Sequence, residues 1–286
     1  MGKADLHIHT TASDGLCKPV DILRLAADHS LSAIAITDHD TIDGYLNVRS
    51  KAKSTAVELI CGAEFTVQQA GRTIHVLSYE FDPADPNVVN LLQIQRTARL
   101  QRMEQILENL RVREGIGLDM DEVKAQARNN IVGRPHVAKV LIRKKIVSSV
   151  KEAFIRYLGQ PYIEELDTRY VSVETLVKVV SGAGGVTSLA HPGPLYSAKE
   201  VEELIDTGID GIECIHPAHN FNQQKRFSLL AERRHLLVTG GSDFHGSGEE
   251  YAPWFGVVTI GEKRVEAVRR VARNRKRYTN NRGSDV

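Results

Sequence analysis

The clearest pattern in the chain is a series of short, mostly apolar runs that alternate with amphipathic segments. Each run is four to seven residues long and ends in a polar cluster, as buried strands often do. The runs are Ala4–Ile8, Ala33–Ile36, Val57–Cys61, Val186–Ala190, Ile209–Ile215 and Leu236–Thr239. Apolar residues recur at helical spacing over Val20–His29, Val173–Ser181 and Val201–Thr207. This alternation predicts a parallel α/β barrel, in which functional groups gather at the carboxyl ends of the strands.

The alternation is interrupted once, between residues 82 and 170. The turn-rich segment Asp82–Pro86 leads into a long helical pattern from Val88 to Glu114, which Gly115 ends. Shorter helical patterns follow over Asp121–Ala127, Pro135–Arg143 and Ser149–Leu158. We therefore expect a barrel domain made of residues 1–81 and 171–286, and a helical insertion of residues 82–170 that caps the barrel mouth.

Histidine and carboxylate side chains concentrate in the predicted strand ends and the loops after them. They are His7, His9, Asp14, His39, Glu64, His75, His191, Asp243 and His245. His7 and His9 are two residues apart along one strand, so both project to the same face and can reach one ion. Imidazole and carboxylate ligands without thiolates suit Mn²⁺, Zn²⁺ or Fe²⁺. The set exceeds the needs of one ion, and a carboxylate such as Glu64 can bridge two. The pattern favours a centre of two or three ions over unrelated core histidines.

Composition and charge narrow the class of protein. The 286 residues are 42% hydrophobic and 26% charged, which is typical of a globular protein and excludes disorder as the main state. No apolar stretch reaches the ~18 residues of a membrane span, and the opening MGKADLHIHT has no signal region, so we expect a cytoplasmic protein. Three widely spaced cysteines exclude a disulfide framework. A net charge of +1 argues against coating long nucleic acid but allows basic patches for small anions.

Several of these segments, in this order, resemble the PHP (polymerase and histidinol phosphatase) superfamily. They are His7-Ile8-His9, Thr37-Asp38-His39-Asp40, Gly62-Ala63-Glu64, His75, His191-Pro192 and Ser242-Asp243-Phe244-His245. The resemblance implies a metal-dependent phosphoesterase on a distorted (β/α)7 TIM-like barrel. Gly133-Arg134-Pro135-His136-Val137-Ala138 resembles a narrower group, the phosphatases of 3′,5′-nucleoside bisphosphates, some of which also trim short RNA from its 5′ end.

The resemblance also implies a ligand set for each ion. The first ion would bind His7, His9, Glu64 and Asp243; the second, Asp14, His39 and His245; the third, Glu64 shared with His75 and His191. Other members often have histidine where this chain has Asp14. The extra oxygen ligand favours Mn²⁺ over Zn²⁺.

Two ions about 3.5–4 Å apart would generate a bridging hydroxide that attacks phosphorus in line. The expected proton donor to the leaving group is His191 if the third ion is absent, and His245 or a bound water if it is present.

Substrate residues are predicted mainly in the insertion. Arg134 begins a predicted helix in a Gly-Arg-Pro-His turn, where a guanidinium and backbone N–H groups could bind phosphate. His136 is a second candidate, with packing at the helix terminus as its alternative. Arg96, Arg99 and Arg102 recur at helical spacing and either face the mouth or form the solvent side of their helix; Arg99 is our candidate among them.

Residues beside the predicted ligands receive supporting roles. His216 ends a strand on the active face, where substrate binding and structural support are both open. Asp38 and Asp40 flank His39, and one of them is expected to orient the second nitrogen of that imidazole.

The leading functional hypothesis is a phosphatase that removes the 5′-phosphate of a small nucleotide such as adenosine 3′,5′-bisphosphate, extending to short 5′-phosphorylated RNA. The alternatives are histidinol-phosphate phosphatase or another small phosphomonoesterase, a proofreading exonuclease module, which the short chain disfavours, and a metal-binding scaffold without activity. No membrane partner and no obligate protein partner is expected.

Overall fold

A computed structural model describes residues 2–127, 131–159, 162, 166–193, 195–248 and 251–283, the last five without their side chains. Within these residues, eight strands form one sheet in the order β7-β6-β5-β4-β3-β2-β1-β8. They are β1 Lys3–Ile8, β2 Ala33–Ile36, β3 Glu58–Gln69, β4 Arg72–Tyr79, β5 Val186–Leu189, β6 Gly211–Ile215, β7 Leu237–Gly240 and β8 Ile260–Gly261. The sheet curls until Phe244, just after β7, pairs with Ile8 of β1, which nearly closes a barrel.

The predicted α/β barrel is confirmed, with two departures from a purely parallel sheet. β4 runs antiparallel to both β3 and β5, and the two-residue strand β8 runs antiparallel to β1. All other neighbours are parallel. The antiparallel β4 arises because β3 and β4 form a hairpin through Ala70 and Gly71, both in the left-handed region with φ of 49° and 77°.

The expected end of the third strand is wrong. We expected Glu64 to follow a strand that ends at Cys61, but β3 continues to Gln69. Glu64 therefore lies inside a strand, and His75 lies inside β4 rather than in a loop. The β3–β4 pairing sets His75 diagonally from Glu64, because His75 pairs with Thr66 two residues further along β3.

Six helices of the described part of the chain cover the outside of the barrel. They are α1 Pro19–Asp28, α2 Asp43–Ala52, α7 Val173–Gly182, α8 Ala198–Asp206, α9 Phe221–Arg233 and α10 Glu262–Gly283. Each places apolar residues on one face, as Val201, Leu204 and Ile205 do on α8. Burial of these faces against the strands produces the core between sheet and helices.

Between β4 and β5, the structure contains a long helix and several short ones. These are α3 Pro86–Glu114, α4 Met120–Lys124, α5 Arg134–Arg143 and α6 Val150–Ala153, which continues into a π-helical turn over Phe154–Leu158. The Asp85 side chain caps α3 by accepting hydrogen bonds from two backbone amides, and Gly115 ends it in the left-handed region.

Helix α3 joins two apolar clusters. Its first turns, with Val88 and Leu91, pack into the barrel core, whereas Met103 and Ile106 belong to a separate cluster of the inserted helices. The division into a barrel domain and a cap domain at residues 82 and 170 stays a prediction. No helix among the described residues is long and apolar enough to span a bilayer.

Candidate metal centre

The predicted ligands meet because their strands end at one mouth of the barrel. His7 projects from β1 and His9 follows that strand directly, while Asp243 and His245 follow β7. His191 follows β5 with a φ of 30°, and Asp243 has a φ of 52°, both in the left-handed region that non-glycine residues rarely adopt. Strained conformations of this kind are common where a turn must direct a side chain into a functional site.

Four side chains form the tightest group: His7, His9, Glu64 and Asp243. The Nε2 atom of His9 lies 3.2 Å from Glu64 Oε2 and 3.2 Å from Asp243 Oδ1. The Nε2 atom of His7 lies 3.4 Å and 3.3 Å from the same two oxygens. Ligand atoms that share an ion at about 2.1 Å lie roughly 3.0–3.4 Å apart, so these four atoms can surround one ion. This is the set that the family resemblance assigns to the first metal.

Glu64 occupies the middle of the cluster. Its Oε2 faces His7, His9 and, at 3.1 Å, His39 Nδ1, whereas its Oε1 lies 3.1 Å from His75 Nδ1 and 3.0 Å from His191 Nε2. One carboxylate thus faces different imidazoles with each oxygen. This is the geometry that a bridging ligand between two ions requires.

Asp14 organises the other side. Its Oδ2 lies 3.7 Å from His39 Nε2, and its Oδ1 lies 3.5 Å from His245 Nε2 and 3.8 Å from His9 Nδ1. The structure therefore brings His9 close to the three residues that we assigned to the second ion. All nine candidate ligands lie in one connected cluster, and their roles as ligands are taken up as a proposal below.

Two observations indicate that the cluster can hold divalent cations. The buried Nδ1 atoms of His9 and His39 have no hydrogen-bond partner among the described residues. His39 Nδ1 is only 3.1 Å from Glu64 but is not aligned for a hydrogen bond. Buried polar atoms are rarely left unpaired, so these two nitrogens indicate a bound ligand in the space between the side chains. Neutral imidazoles and carboxylates are also the ligands preferred by Mn²⁺, Zn²⁺ and Fe²⁺.

The electrostatics of the centre favour cations. Burial raises the pKa of the Glu64 carboxyl, but the surrounding imidazoles outweigh burial and hold it well below its usual value. The same balance lowers the pKa of Asp14 and Asp243. Burial lowers the pKa of His9, but Asp243 and Glu64 raise it to about 10. The carboxylates are therefore ionised at neutral pH, and on His9 a proton occupies a nitrogen that a metal ion would take.

The role expected for Asp38 and Asp40 is wrong, because neither carboxylate hydrogen-bonds to His39. Asp38 instead accepts from the Thr10 backbone amide at 2.7 Å and from the Ser13 hydroxyl at 2.7 Å. These bonds hold the loop that carries Asp14. Asp40 is directed away from the centre, into the insertion.

Asp40 anchors the insertion to the barrel. Its Oδ2 accepts from Nε of Arg99 at 2.9 Å, and its Oδ1 accepts from Gln95 on the same helix at 3.1 Å. The guanidinium of Arg99 also donates to the Thr66 hydroxyl at 3.0 Å. Arg99 is buried, and these bonds hold its guanidinium against the barrel. Its expected role in substrate binding stays a prediction.

Arg134 is placed differently. Its Nη1 donates to the Leu158 carbonyl at 3.1 Å, and its guanidinium lies 5.2 Å from the centre of the Phe154 ring. No carboxylate among the described residues pairs with it. Burial together with the charges of Arg102 and Arg99 lowers the pKa of Arg134 to about 9. The group stays cationic at neutral pH, and a bound anion would stabilise it.

A cavity of about 310 Å³ lies beside Asp14, between the Thr11–Leu16 loop and the insertion. His136 and Lys139 line its insertion side. Nδ1 of His136 accepts from the Gly133 backbone amide at 3.0 Å, which leaves Nε2 as the N–H donor of the neutral ring. Burial lowers the pKa of His136 to about 4, so the ring is neutral at physiological pH. The bond to the Gly133 amide is a contact at the helix terminus, and substrate contact by His136 stays a prediction.

His216 lies behind the centre rather than in the open mouth. It is 2% exposed, its Nδ1 accepts from the Ala218 amide at 3.0 Å, and its Nε2 lies 3.3 Å from Asp243 Oδ2. The ring is therefore placed to orient Asp243. Glu213, a buried carboxylate in the middle of β6, also contacts His7 and His191, and the strand ends do not predict it. Its signal in the sequence is a charged residue within the short apolar strand Gly211–Ile215.

Comparison with known proteins supports the resemblance seen in the motifs. The PHP domain family matches residues 5–206. A 5′-3′ exoribonuclease of Haemophilus influenzae is 34% identical over 248 residues, which cover 85% of this chain and 90% of that protein. A 3′,5′-nucleoside bisphosphate phosphatase of Chromobacterium violaceum is 31% identical over 258 residues, covering 87% of this chain and 89% of that one.

A solved structure extends the likeness to the whole fold. A proposed metal-dependent phosphoesterase from Bifidobacterium adolescentis superposes with a TM-score of 0.83 at 29% identity, covering 93% of this chain and 94% of that one. The structural likeness therefore includes both the barrel and the inserted helices.

Proposed function

The chain belongs to the PHP family of metal-dependent phosphoesterases, and on that premise we propose that it removes the 5′-phosphate of nucleoside 3′,5′-bisphosphates. The observation that carries the proposal is the position of Arg134. This partly buried cation has no carboxylate partner among the described residues, and the charge of Asp14 in the centre acts on it. A substrate with two phosphates can place one in the metal centre and the other against the insertion.

We propose that the ions are Mn²⁺ and that two or three are bound. The first site is assigned to His7, His9, Glu64 and Asp243; the second, to Asp14, His39 and His245; the third, to Glu64 with His75 and His191. When bound, these ions supply Lewis-acid activation of water and of the phosphoryl group. The Asp14 carboxylate on the second site supports Mn²⁺ over Zn²⁺, since Mn²⁺ prefers oxygen ligands more strongly.

The chain itself supplies orientation and a proton. The left-handed turns at His191 and Asp243 direct these side chains into the mouth. With two ions bound, we assign the proton donor for the leaving alkoxide to His191, whose side chain is 15% exposed and can reach the substrate. With a third ion on His191, we assign the role to a bound water, because the Nδ1 of His245 donates to the Asp243 carbonyl at 2.8 Å and its Nε2 is assigned to the second ion.

The second phosphate and the nucleoside are assigned to the insertion. Arg134 binds the phosphate with a charge-assisted hydrogen bond, and Arg102 adds a second cation whose buried Nε has no hydrogen-bond partner among the described residues. His136 and Lys139 line the cavity beside Asp14, which is large enough for a nucleobase or a sugar. The likeness to a 5′-3′ exoribonuclease supports short 5′-phosphorylated RNA as a further substrate of the same site.

The test is a substrate panel with the Mn²⁺-loaded protein. Phosphate release is measured from adenosine 3′,5′-bisphosphate, adenosine 5′-monophosphate, histidinol phosphate and a short 5′-phosphorylated RNA. We expect the highest kcat/KM for the bisphosphate. Preference for histidinol phosphate would replace the proposal with the alternative phosphatase, and no turnover of any substrate by the metal-loaded protein would favour a scaffold. In ¹⁸O-water, label must enter the phosphate product; label in the alcohol would contradict attack at phosphorus.

A further inference from the structure

Glu213 is a buried charge that the proposed reaction does not use. It sits in the middle of β6, where Ile212 and Cys214 face the helical layer and Glu213 alternates to the barrel interior. Its side chain is 0% exposed. Burying a carboxylate is costly unless its oxygens are well bonded, so its partners are informative about its role.

Each oxygen of Glu213 accepts from a different residue of the metal centre. Oε1 lies 2.9 Å from the Nδ1 atom of His7, on β1. Oε2 accepts from the backbone amide of His191 at 2.8 Å, just after β5. One carboxylate therefore connects two candidate ligands that come from separate strands.

The contact with His7 determines which nitrogen carries the proton. Because Glu213 is an acceptor, the neutral His7 ring places its proton on Nδ1 and leaves the Nε2 lone pair free. That Nε2 atom is the one 3.4 Å from Glu64 and 3.3 Å from Asp243, inside the centre. The ring is thus held in the tautomer that can bind an ion.

The contact with His191 supports an unfavourable backbone conformation. The φ of His191 is 30°, in the left-handed region, which costs a non-glycine residue energy unless the surroundings hold it. The amide bonded to Glu213 belongs to that same residue, and the side chain then reaches Glu64 through Nε2 at 3.0 Å. Loss of this hydrogen bond would destabilise the turn that directs the His191 ring into the centre.

We propose that Glu213 is a positioning residue that sets the tautomer of His7 and the backbone turn of His191 at the same time. The inference rests on the proposed ligand roles of these two histidines. Glu213, at the centre of β6, thereby aligns one ligand of the first metal site and one ligand of the third.

Glutamine tests this more sharply than alanine, because it is isosteric but has only one acceptor. If the amide oxygen of Glu213→Gln faces the His191 amide, its NH₂ group faces His7 Nδ1. The His7 proton must then move to Nε2 and block the metal. If the amide oxygen faces His7 instead, the NH₂ group opposes the His191 N–H, and the strained turn loses its support. Either orientation disables one ligand.

The experiment measures Mn²⁺ binding by titration calorimetry for the wild type, Glu213→Gln and a control, Glu58→Gln. Glu58 is an exposed residue at the start of β3, and it pairs with Arg269. We expect Mn²⁺ affinity to fall about 10- to 100-fold in Glu213→Gln, the range for partners that orient metal ligands, and to stay unchanged in the control. The rise in Tm on adding Mn²⁺ should shrink only in Glu213→Gln.

A purely structural role would give a different result. Glu213→Gln would then lower Tm equally with and without Mn²⁺ and keep the wild-type affinity, which would overturn this inference alone. A wild-type protein that binds no Mn²⁺ would overturn the proposed function as well.

The wild type offers a measurement that does not depend on the variant folding. In the Zn²⁺-loaded protein with ¹⁵N-labelled histidine, NMR should show His7 metal-bound at Nε2 with a slowly exchanging Nδ1 proton. A metal-bound Nδ1 would refute the proposal.

Discussion

Replacement of Arg134 by alanine should weaken the enzyme selectively toward substrates that carry a second phosphate. Among the described residues, Arg134 has one hydrogen bond, to the Leu158 carbonyl, and a contact with the Phe154 ring. Neither partner neutralises its charge, and Arg102 and Arg99 add like charge nearby. The group is therefore better placed to bind an anion than to stabilise the fold.

The magnitude follows from the bond that would be lost. A hydrogen bond to a charged group contributes about 1.5–3 kcal/mol. Since about 1.4 kcal/mol corresponds to a factor of ten in rate, kcat/KM for adenosine 3′,5′-bisphosphate should fall about 10- to 150-fold. Arg134→Lys keeps the charge but loses the fork geometry of the guanidinium, and should recover part of the loss. The free energy of unfolding should change by less than about 1 kcal/mol, because relief of like-charge repulsion offsets the lost hydrogen bond.

The assay compares two substrates and two variants. Adenosine 5′-monophosphate lacks the 3′-phosphate, so Arg134→Ala should change its kcat/KM by less than about threefold if only that phosphate contact is lost. Arg156→Ala is the matched control: Arg156 lies in the same insertion, contacts the Tyr157 ring at 4.7 Å and pairs with Glu152 at 2.8 Å. It should leave both substrates unaffected. An equal loss on both substrates in Arg134→Ala, or no loss on the bisphosphate, would refute the assignment.

Two further predictions concern the anchor of the insertion and proton competition at the centre. Asp40→Ala leaves the buried Arg99 guanidinium without its carboxylate and should lower the free energy of unfolding in urea by about 3–5 kcal/mol. Asp43→Ala breaks only the half-exposed pair with Arg96 and should lower it by less than about 1 kcal/mol; equal effects would contradict the structural role of Asp40. Burial lowers the pKa of His9, but neighbouring carboxylates raise it to about 10. Mn²⁺ must therefore displace a proton from His9 at neutral pH. Apparent Mn²⁺ affinity in titration calorimetry should therefore rise with pH, by up to about tenfold per unit for each displaced proton. Affinity that is independent of pH would contradict this competition.

The convergence of the centre could be predicted because it depends on a topological rule. Parallel strands of a barrel end on one face, so His7, His39, His191 and Asp243 were expected to meet although they are far apart in the chain. The rule does not apply to a hairpin. Because β4 runs antiparallel, His75 reaches the centre from inside its strand.

Contacts between distant polar residues could not be predicted in the same way. Asp40 was expected to orient its neighbour His39, but it pairs with Arg99, 59 residues further along the chain. Nothing local in either segment specifies that partner, since it depends on how helix α3 packs against the barrel. Glu213 could not be predicted from the strand ends, because it lies at a strand centre, where a buried carboxylate needs partners from other strands.

The central claim is that these side chains bind a cluster of divalent ions, and crystallographic metal content tests it most directly. Crystals of the Mn²⁺-reconstituted protein, measured at the manganese absorption edge, should show two or three anomalous peaks at the barrel mouth, with Glu64 bridging two of them. Elemental analysis of the same sample should agree with that count. Fewer than two equivalents of manganese per chain, or peaks that lie away from His9, Glu64 and Asp243, would contradict the account.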